Sequence, residues 1–131
     1  ADERVLGLFR PGDHGSTFGG NPLGSAVARA ALDVLIDESL VERSREVGEY
    51  FMGRLRRIES DNIKEVRGKG LLIGVEMTNE ARPYCDALRD AGILCKDTHG
   101  TVVRFAPPLV ITKEEIDWAM ERIERILANG R

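Results

Sequence analysis

The hydrophobic pattern of this chain changes period once, and that change restricts the architectures open to it. Before residue 60 the apolar residues recur at helical spacing. Leu23, Val27, Ala30, Ala31, Val34 and Leu35 form one such face, and Leu40, Val47, Phe51, Leu55 and Ile58 form another. Further on, Leu71, Ile73, Val75 and Met77 alternate onto one face, the two-residue period of a half-buried strand. Gly68-Lys69-Gly70 separates them from a second run, Ile63–Arg67, and a connection with two glycines suits a tight or bulged reversal. Helices that give way to a hairpin predict an α+β fold: a small, mostly antiparallel sheet covered by helices.

The remaining elements follow from local signals. Residues 1–20 read as an irregular arm ending in a Gly-rich loop. Asn21 is a good N-cap, and Pro22 sits at the first helical position, where its missing N–H costs nothing. The second helix is expected over about residues 40–59. Its interleaved charges (Glu42, Arg43, Arg45, Glu46, Arg54, Arg56, Arg57) read as a solvated face rather than a basic patch. A short helix is expected over 80–91, closed by Gly92. Strands at Ile93–Lys96 and Val102–Phe105 then flank a turn at Asp97–Gly100, and Pro107-Pro108 ends the second. Thr112 with Glu115 three residues on is a capping box for the last helix, whose buried stripe is Ile116, Ala119, Met120, Ile123 and Leu127.

Composition excludes several classes of function. With 131 residues, 42% hydrophobic and 31% charged, the chain is an ordinary globular sequence of one-domain size. Nineteen basic against 22 acidic residues give a net charge of −3, so the footprint of a nucleic-acid binder is missing and no nucleic-acid partner is expected. No apolar run approaches the roughly 18 residues of a membrane span, so no membrane partner is expected either. Cys85 and Cys95 form no CxxC pair, which points to a reducing compartment, and both read as core residues. The first residue is Ala1 rather than Met, which fits processing, an engineered start or a fragment.

Candidate chemistry concentrates at two places. Six of the 14 glycines fall in the first 24 residues, most of them in Pro11-Gly-Asp-His-Gly-Ser-Thr-Phe-Gly-Gly-Asn-Pro22. This run sets the Ser16 and Thr17 hydroxyls among glycines just before a helix N-terminus, an arrangement that suits a phosphate. A purely structural Gly-rich turn fits the spacing equally well. No lysine follows the glycines and there is no GxGxxG, so the loop is neither a Walker A motif nor a dinucleotide fingerprint. His14 lacks triad spacing and reads as a hydrogen-bonding loop residue, and the two histidines and two cysteines show no metal-ligand spacing. The second place is Arg104, a permanent cation inside Val102-Val103-Arg104-Phe105-Ala106. It suits either a structural ion pair or a substrate carboxylate.

Three segments carry a resemblance to a known family. PGDHGSTFGGNPLGSAVARAAL resembles the segment that follows the cofactor-bearing lysine in class III, fold-type I pyridoxal-phosphate aminotransferases. VRGKGLLIGVE and KDTHGTVVRFAPPLVIT are similar to the C-terminal small domain of the same family, in the same order. Within the family, THG combined with VRFAPPLVI is most similar to the ornithine branch, with the acetylornithine and other ω-aminotransferases second.

The resemblance implies that residues 1–38 end the cofactor-binding large domain and that residues 39–131 form the small domain. It implies that Gly15, Ser16 and Thr17 bind the phosphate of pyridoxal 5'-phosphate, in an active site shared with a second subunit of a homodimer. It also implies that Arg104 binds the carboxylate of an amino-acid or 2-oxo-acid substrate. The parent reaction would be ornithine plus 2-oxoglutarate giving glutamate 5-semialdehyde plus glutamate, in the cytoplasm, or in the mitochondrial matrix if the parent is eukaryotic. Lys64, Lys69, Lys96 and Lys113 do not match the family's cofactor lysine. No residue here is therefore assigned a catalytic role, and the chain alone is expected to be inactive. The contrasting expectation is a free-standing α+β anion-binding or interaction module.

Overall fold

The structure is a computed structural model that describes residues 2–129. The opening Ala1 and the last two positions lie outside the described residues, as do the expectations that touch them. Backbone contacts divide the chain into two units, residues 1–37 and residues 38–131.

In the first unit, the expected irregular arm contains one short helix, α1 (Glu3–Leu6), capped by Asp2, whose carboxylate accepts from the Arg4 N–H at 3.1 Å. The Gly-rich loop follows, and then α2 (Pro22–Asp37), which starts where the Asn21-Pro22 signal places it. Asn21 Oδ1 accepts from the Gly24 N–H at 2.8 Å, satisfying one of the helix's orphan donors. No residue of α1 or α2 is buried.

The second unit holds α3 (Leu40–Leu55), β1 (Ile63–Lys69), β2 (Leu72–Met77), α4 (Arg82–Asp90), β3 (Lys96–Thr98), β4 (Val102–Phe105) and α5 (Lys113–Asn129). All strand pairs are antiparallel, in the order β1-β2-β4-β3. Helix α3 packs against β1 and β2, α4 against β3 and β4, and α5 against both helices. Leu71, Ile73, Val75 and Met77 are all buried, as the alternation requires, and they meet Val103 and Phe105 of β4 and the apolar stripes of the helices. Phe51 and Phe105 stack edge to face, 5.6 Å between centroids.

Three boundaries differ from expectation. Helix α3 stops at Leu55 rather than near 59, because Arg57 and Ile58 turn back onto Arg54 and Leu55 in tighter three-residue bonds. The expected strand Ile93–Lys96 is displaced: Ile93 donates to the Leu88 carbonyl at 2.8 Å as the exit turn of α4, and β3 begins only at Lys96. The turn that follows accordingly shifts to His99, Gly100 and Thr101, the first two at positive φ. The Thr112 capping box forms as expected, with Glu115 N–H donating to Thr112 Oγ1 at 3.1 Å and Thr112 N–H to Glu115 Oε2 at 2.9 Å.

The charges of α3 are not all solvated. Arg45 pairs with Glu49 one turn on, as expected, but Arg54 reaches across to Asp117 and Glu124 of α5. Arg43 turns inward and donates to the carbonyls of Leu109, Val110 and Ile111, at 3.2, 3.2 and 2.8 Å. Small residues make the close approach of α3 to the hairpin possible. A Cβ on Gly48 would lie 2.1 Å from the Gly70 carbonyl oxygen, and Ser44 Oγ accepts from the Leu71 N–H at 3.2 Å.

Candidate functional site

Side chains shape the Gly-rich loop from within. Asp13 accepts from the Arg10 N–H at 2.8 Å, Ser16 Oγ accepts from the Gly19 N–H at 2.9 Å, and Asn21 donates to the Phe18 carbonyl at 2.6 Å. Gly12 and Gly20 adopt φ of +96° and +73°, conformations that a side chain rarely tolerates. Gly15, Ser16 and Thr17 stand together in the exposed turn so formed. Among the described residues, none of their three backbone N–H groups donates to a protein acceptor. Two hydroxyls and three consecutive N–H groups supply hydrogen-bond donors and no negative charge, the donor set a phosphate needs. The residues present therefore fit the phosphate of pyridoxal 5'-phosphate. His14 hydrogen-bonds to nothing among the described residues; its ring instead leans on Phe9, 6.3 Å between centroids.

Arg104 lies in the second unit, on the sheet face opposite the helices. Its neighbours Val103 and Phe105 point into the core, so the pleat turns Arg104 outward, where it is exposed. Its cross-strand partners are Gly74 on β2 and Lys96 on β3, and Arg67 stands opposite Gly74 on β1. The row across this face thus reads Arg67, Gly74, Arg104, Lys96. Arg67 is neutralised, by Glu65 at 2.7 Å and Glu76 at 2.6 Å, and Lys64 reaches Glu76 at 2.9 Å. The two cations hold the Glu76 carboxyl below its usual range, Lys64 being the larger cause. Arg104 and Lys96 have no ion-pair partner among the described residues. The structural ion pair weighed for Arg104 is accordingly not formed among the described residues.

Sequence reading could reach Arg104 from the alternation of its own strand. It missed Gly74 and Lys96, because their nearness to Arg104 is a matter of register between strands. The four lysines all fall in the second unit, none beside the Gly-rich loop in sequence. Lys64 is bound to Glu76, and Lys113 lies over the Tyr50 ring, 5.4 Å from its centroid. The two cysteines pack as expected: Cys85 is buried, Cys95 is half-buried, and they border one small cavity. Burial pushes both thiols up, Cys95 to about 12 with the adjacent Cys85 as second cause, so neither is an activated nucleophile. Among the described residues no group of carboxylates, histidines and cysteines is arranged to hold a metal, and no helix is long and apolar enough to cross a membrane.

Comparison with known proteins places this arrangement in context. Residues 1–127 match the aminotransferase class-III family. The chain is 62% identical over 128 residues to the ornithine aminotransferase of Geobacillus sp. (strain WCH70), covering 98% of this chain and 32% of that protein. It is 61% identical over 130 residues to the ornithine aminotransferase of Bacillus subtilis (strain 168), covering 99% and 32%. Among solved structures, an ornithine aminotransferase from Plasmodium yoelii superposes with a TM-score of 0.84 at 37% identity, covering 97% of this chain and 35% of that one. An acetylornithine aminotransferase from Elizabethkingia anophelis gives 0.82 at 43% identity, with the same coverage. The chain spans about a third of the length of the curated relatives it matches. The family match runs through both the Gly-rich loop and the Arg104 strand, and this chain belongs to the class-III aminotransferases.

Proposed function

We propose that this chain is the C-terminal third of an ornithine aminotransferase, which moves the δ-amino group of ornithine to 2-oxoglutarate and releases glutamate 5-semialdehyde and glutamate. The observation that carries the reading is identity of 58–64% to bacterial ornithine aminotransferases along essentially the whole chain, both candidate sites included. Residues 1–38 would complete the cofactor-binding large domain and residues 39–131 the small domain. The full enzyme would be a cytoplasmic homodimer whose active sites are shared between subunits.

In this reading the Ser16 and Thr17 hydroxyls and the N–H groups from Gly15 onward hold the phosphate and so fix one end of pyridoxal phosphate. When bound, the cofactor supplies an electron sink for the carbanion formed as the amino group is transferred. Arg104 receives a substrate carboxylate through paired, charge-assisted hydrogen bonds; it is exposed and has no counter-ion among the described residues, which supports that role. The proton-transferring lysine is assigned to the longer protein, since none of the four lysines of this chain matches the family's cofactor lysine and Lys64 and Lys113 are engaged elsewhere. The isolated chain is accordingly expected to show no transamination.

The test is steady-state kinetics of the full-length enzyme with ornithine and acetylornithine as competing donors. Ornithine should be preferred, and Arg104→Ala should weaken 2-oxoglutarate use by at least about 10-fold, since each charge-assisted hydrogen bond lost is worth ~1.5–3 kcal/mol. A preference for acetylornithine would move the chain to the neighbouring branch. Unchanged kinetics in Arg104→Ala would return that residue to a structural role.

A further inference from the structure

The open face of the sheet holds an electrostatic conflict that its own strands do not resolve. Lys96 and Arg104 are directly opposed across the β3–β4 pair, so their side chains leave the same face side by side. Like charges in that relation repel, and proteins ordinarily separate or neutralise them. Here neither is neutralised among the described residues. Asp97, next in sequence to Lys96, points to the other face, where Arg82 approaches it at 3.6 Å. Glu76, one row away, is already held by Lys64 and Arg67.

The other flank of Arg104 is Gly74. Its φ is not positive, so the backbone does not require glycine there. A Cβ would meet the Val102 methyl at 3.2 Å, a tight contact that Val102 would have to relieve, and the Arg67 carbonyl oxygen at 4.0 Å. What glycine does supply is room: the surface beside the guanidinium carries no side chain. The result is a strip with a gap at Gly74, a guanidinium at its centre and an ammonium at its edge, all on an uncovered face.

The geometry points to Lys96 as a second cation of the acceptor site, one that sets its preference for 2-oxo acids with two carboxylates over those with one. This inference rests on the reading of Arg104 as the carboxylate receptor and extends it by one residue. An anion seated on Arg104 relieves the repulsion between the two cations, so both favour the occupied state. A compact ammonium on a flexible stem adds attraction toward a dianion, whereas the planar Arg104 fork fixes orientation. The interaction is exposed and therefore weakened by salt.

The experiment is a comparison of half-reactions in the full-length enzyme for Lys96→Met, Lys96→Arg, Arg104→Ala and, as a charge-matched control, Lys113→Met. The expected result is that Lys96→Met raises KM for 2-oxoglutarate about two- to fivefold, the upper range of an exposed charge interaction, with kcat little changed. Its KM for a 2-oxo monocarboxylate such as pyruvate and its ornithine half-reaction should stay as they were. Lys96→Arg should restore the wild-type KM, added salt should shrink the difference, and Lys113→Met should show none of it. An unchanged KM for 2-oxoglutarate in Lys96→Met overturns the inference, and so does an equal change for both acceptors or both half-reactions. If Arg104→Ala is silent as well, the underlying reading of the site falls; if Arg104→Ala is impaired and Lys96→Met is not, only the role of Lys96 falls.

Discussion

The two units of this chain use apolar residues in opposite ways. In residues 38–129 the apolar stripes of α3, α4 and α5 close over one face of the sheet, and Leu55, Val75, Leu88, Ile116 and Leu127 are wholly inaccessible to solvent. In residues 2–37 the stripe of α2 is as periodic, yet Leu23 remains 77% exposed and Val27 61%. The first unit forms its helix from local signals, the Asn21 cap, Pro22 and a run of alanines, without a core beneath it. A hydrophobic period thus marks a helix and the face it can bury; whether a core forms depends on what covers that face, and residues 2–37 supply no such cover themselves. The candidate sites divide in the same way. The Gly-rich loop is made by neighbours in sequence, whereas the Arg104 strip is made by strand pairing.

The largest expected effect that tests this contrast is in the core. Leu88→Ala removes a wholly buried side chain between α4 and its neighbours and should cost about 2–5 kcal/mol, read as a lower denaturant midpoint for the whole chain. A smaller effect is expected at the α5 cap. Thr112→Ala leaves the Glu115 N–H without its acceptor and should cost about 1 kcal/mol in the same measurement. The smallest is expected on α2, where Val27→Ala should shift the main unfolding transition by less than ~0.5 kcal/mol. If Val27→Ala cost as much as Leu88→Ala, the contrast between a cored and an uncored unit would collapse. An equal response to Thr112→Ala and Leu88→Ala would show instead that the cap, not the core, limits the stability of α5.

Several particulars needed no structure. The start of α2 at Asn21-Pro22, the box at Thr112 and Glu115, and the buried set Leu71, Ile73, Val75 and Met77 follow from interactions within a few residues. The geometry of the Gly15-Ser16-Thr17 turn, the proposed anion loop, is likewise set by glycines and side chains close by in the chain. The misplaced strand at Ile93–Lys96 shows where this logic stops. That segment is apolar enough for a strand, but its first residue is taken by the exit turn of α4, so pairing with β4 begins later. The charges of α3 show the same limit: nothing near Arg43 in sequence indicates that it will hold three carbonyls of a distant loop.

Local chemistry thus wrote the helices, the caps, the alternating strands and the Gly-rich loop into the order of residues, because each depends on neighbours whose separation the backbone fixes. The long-range packing made the row that joins Arg67, Gly74, Arg104 and Lys96. A shift of one residue in register would send Arg104 to the other face, and only burial of Val75, Val103 and Phe105 against the helices selects the observed pairing.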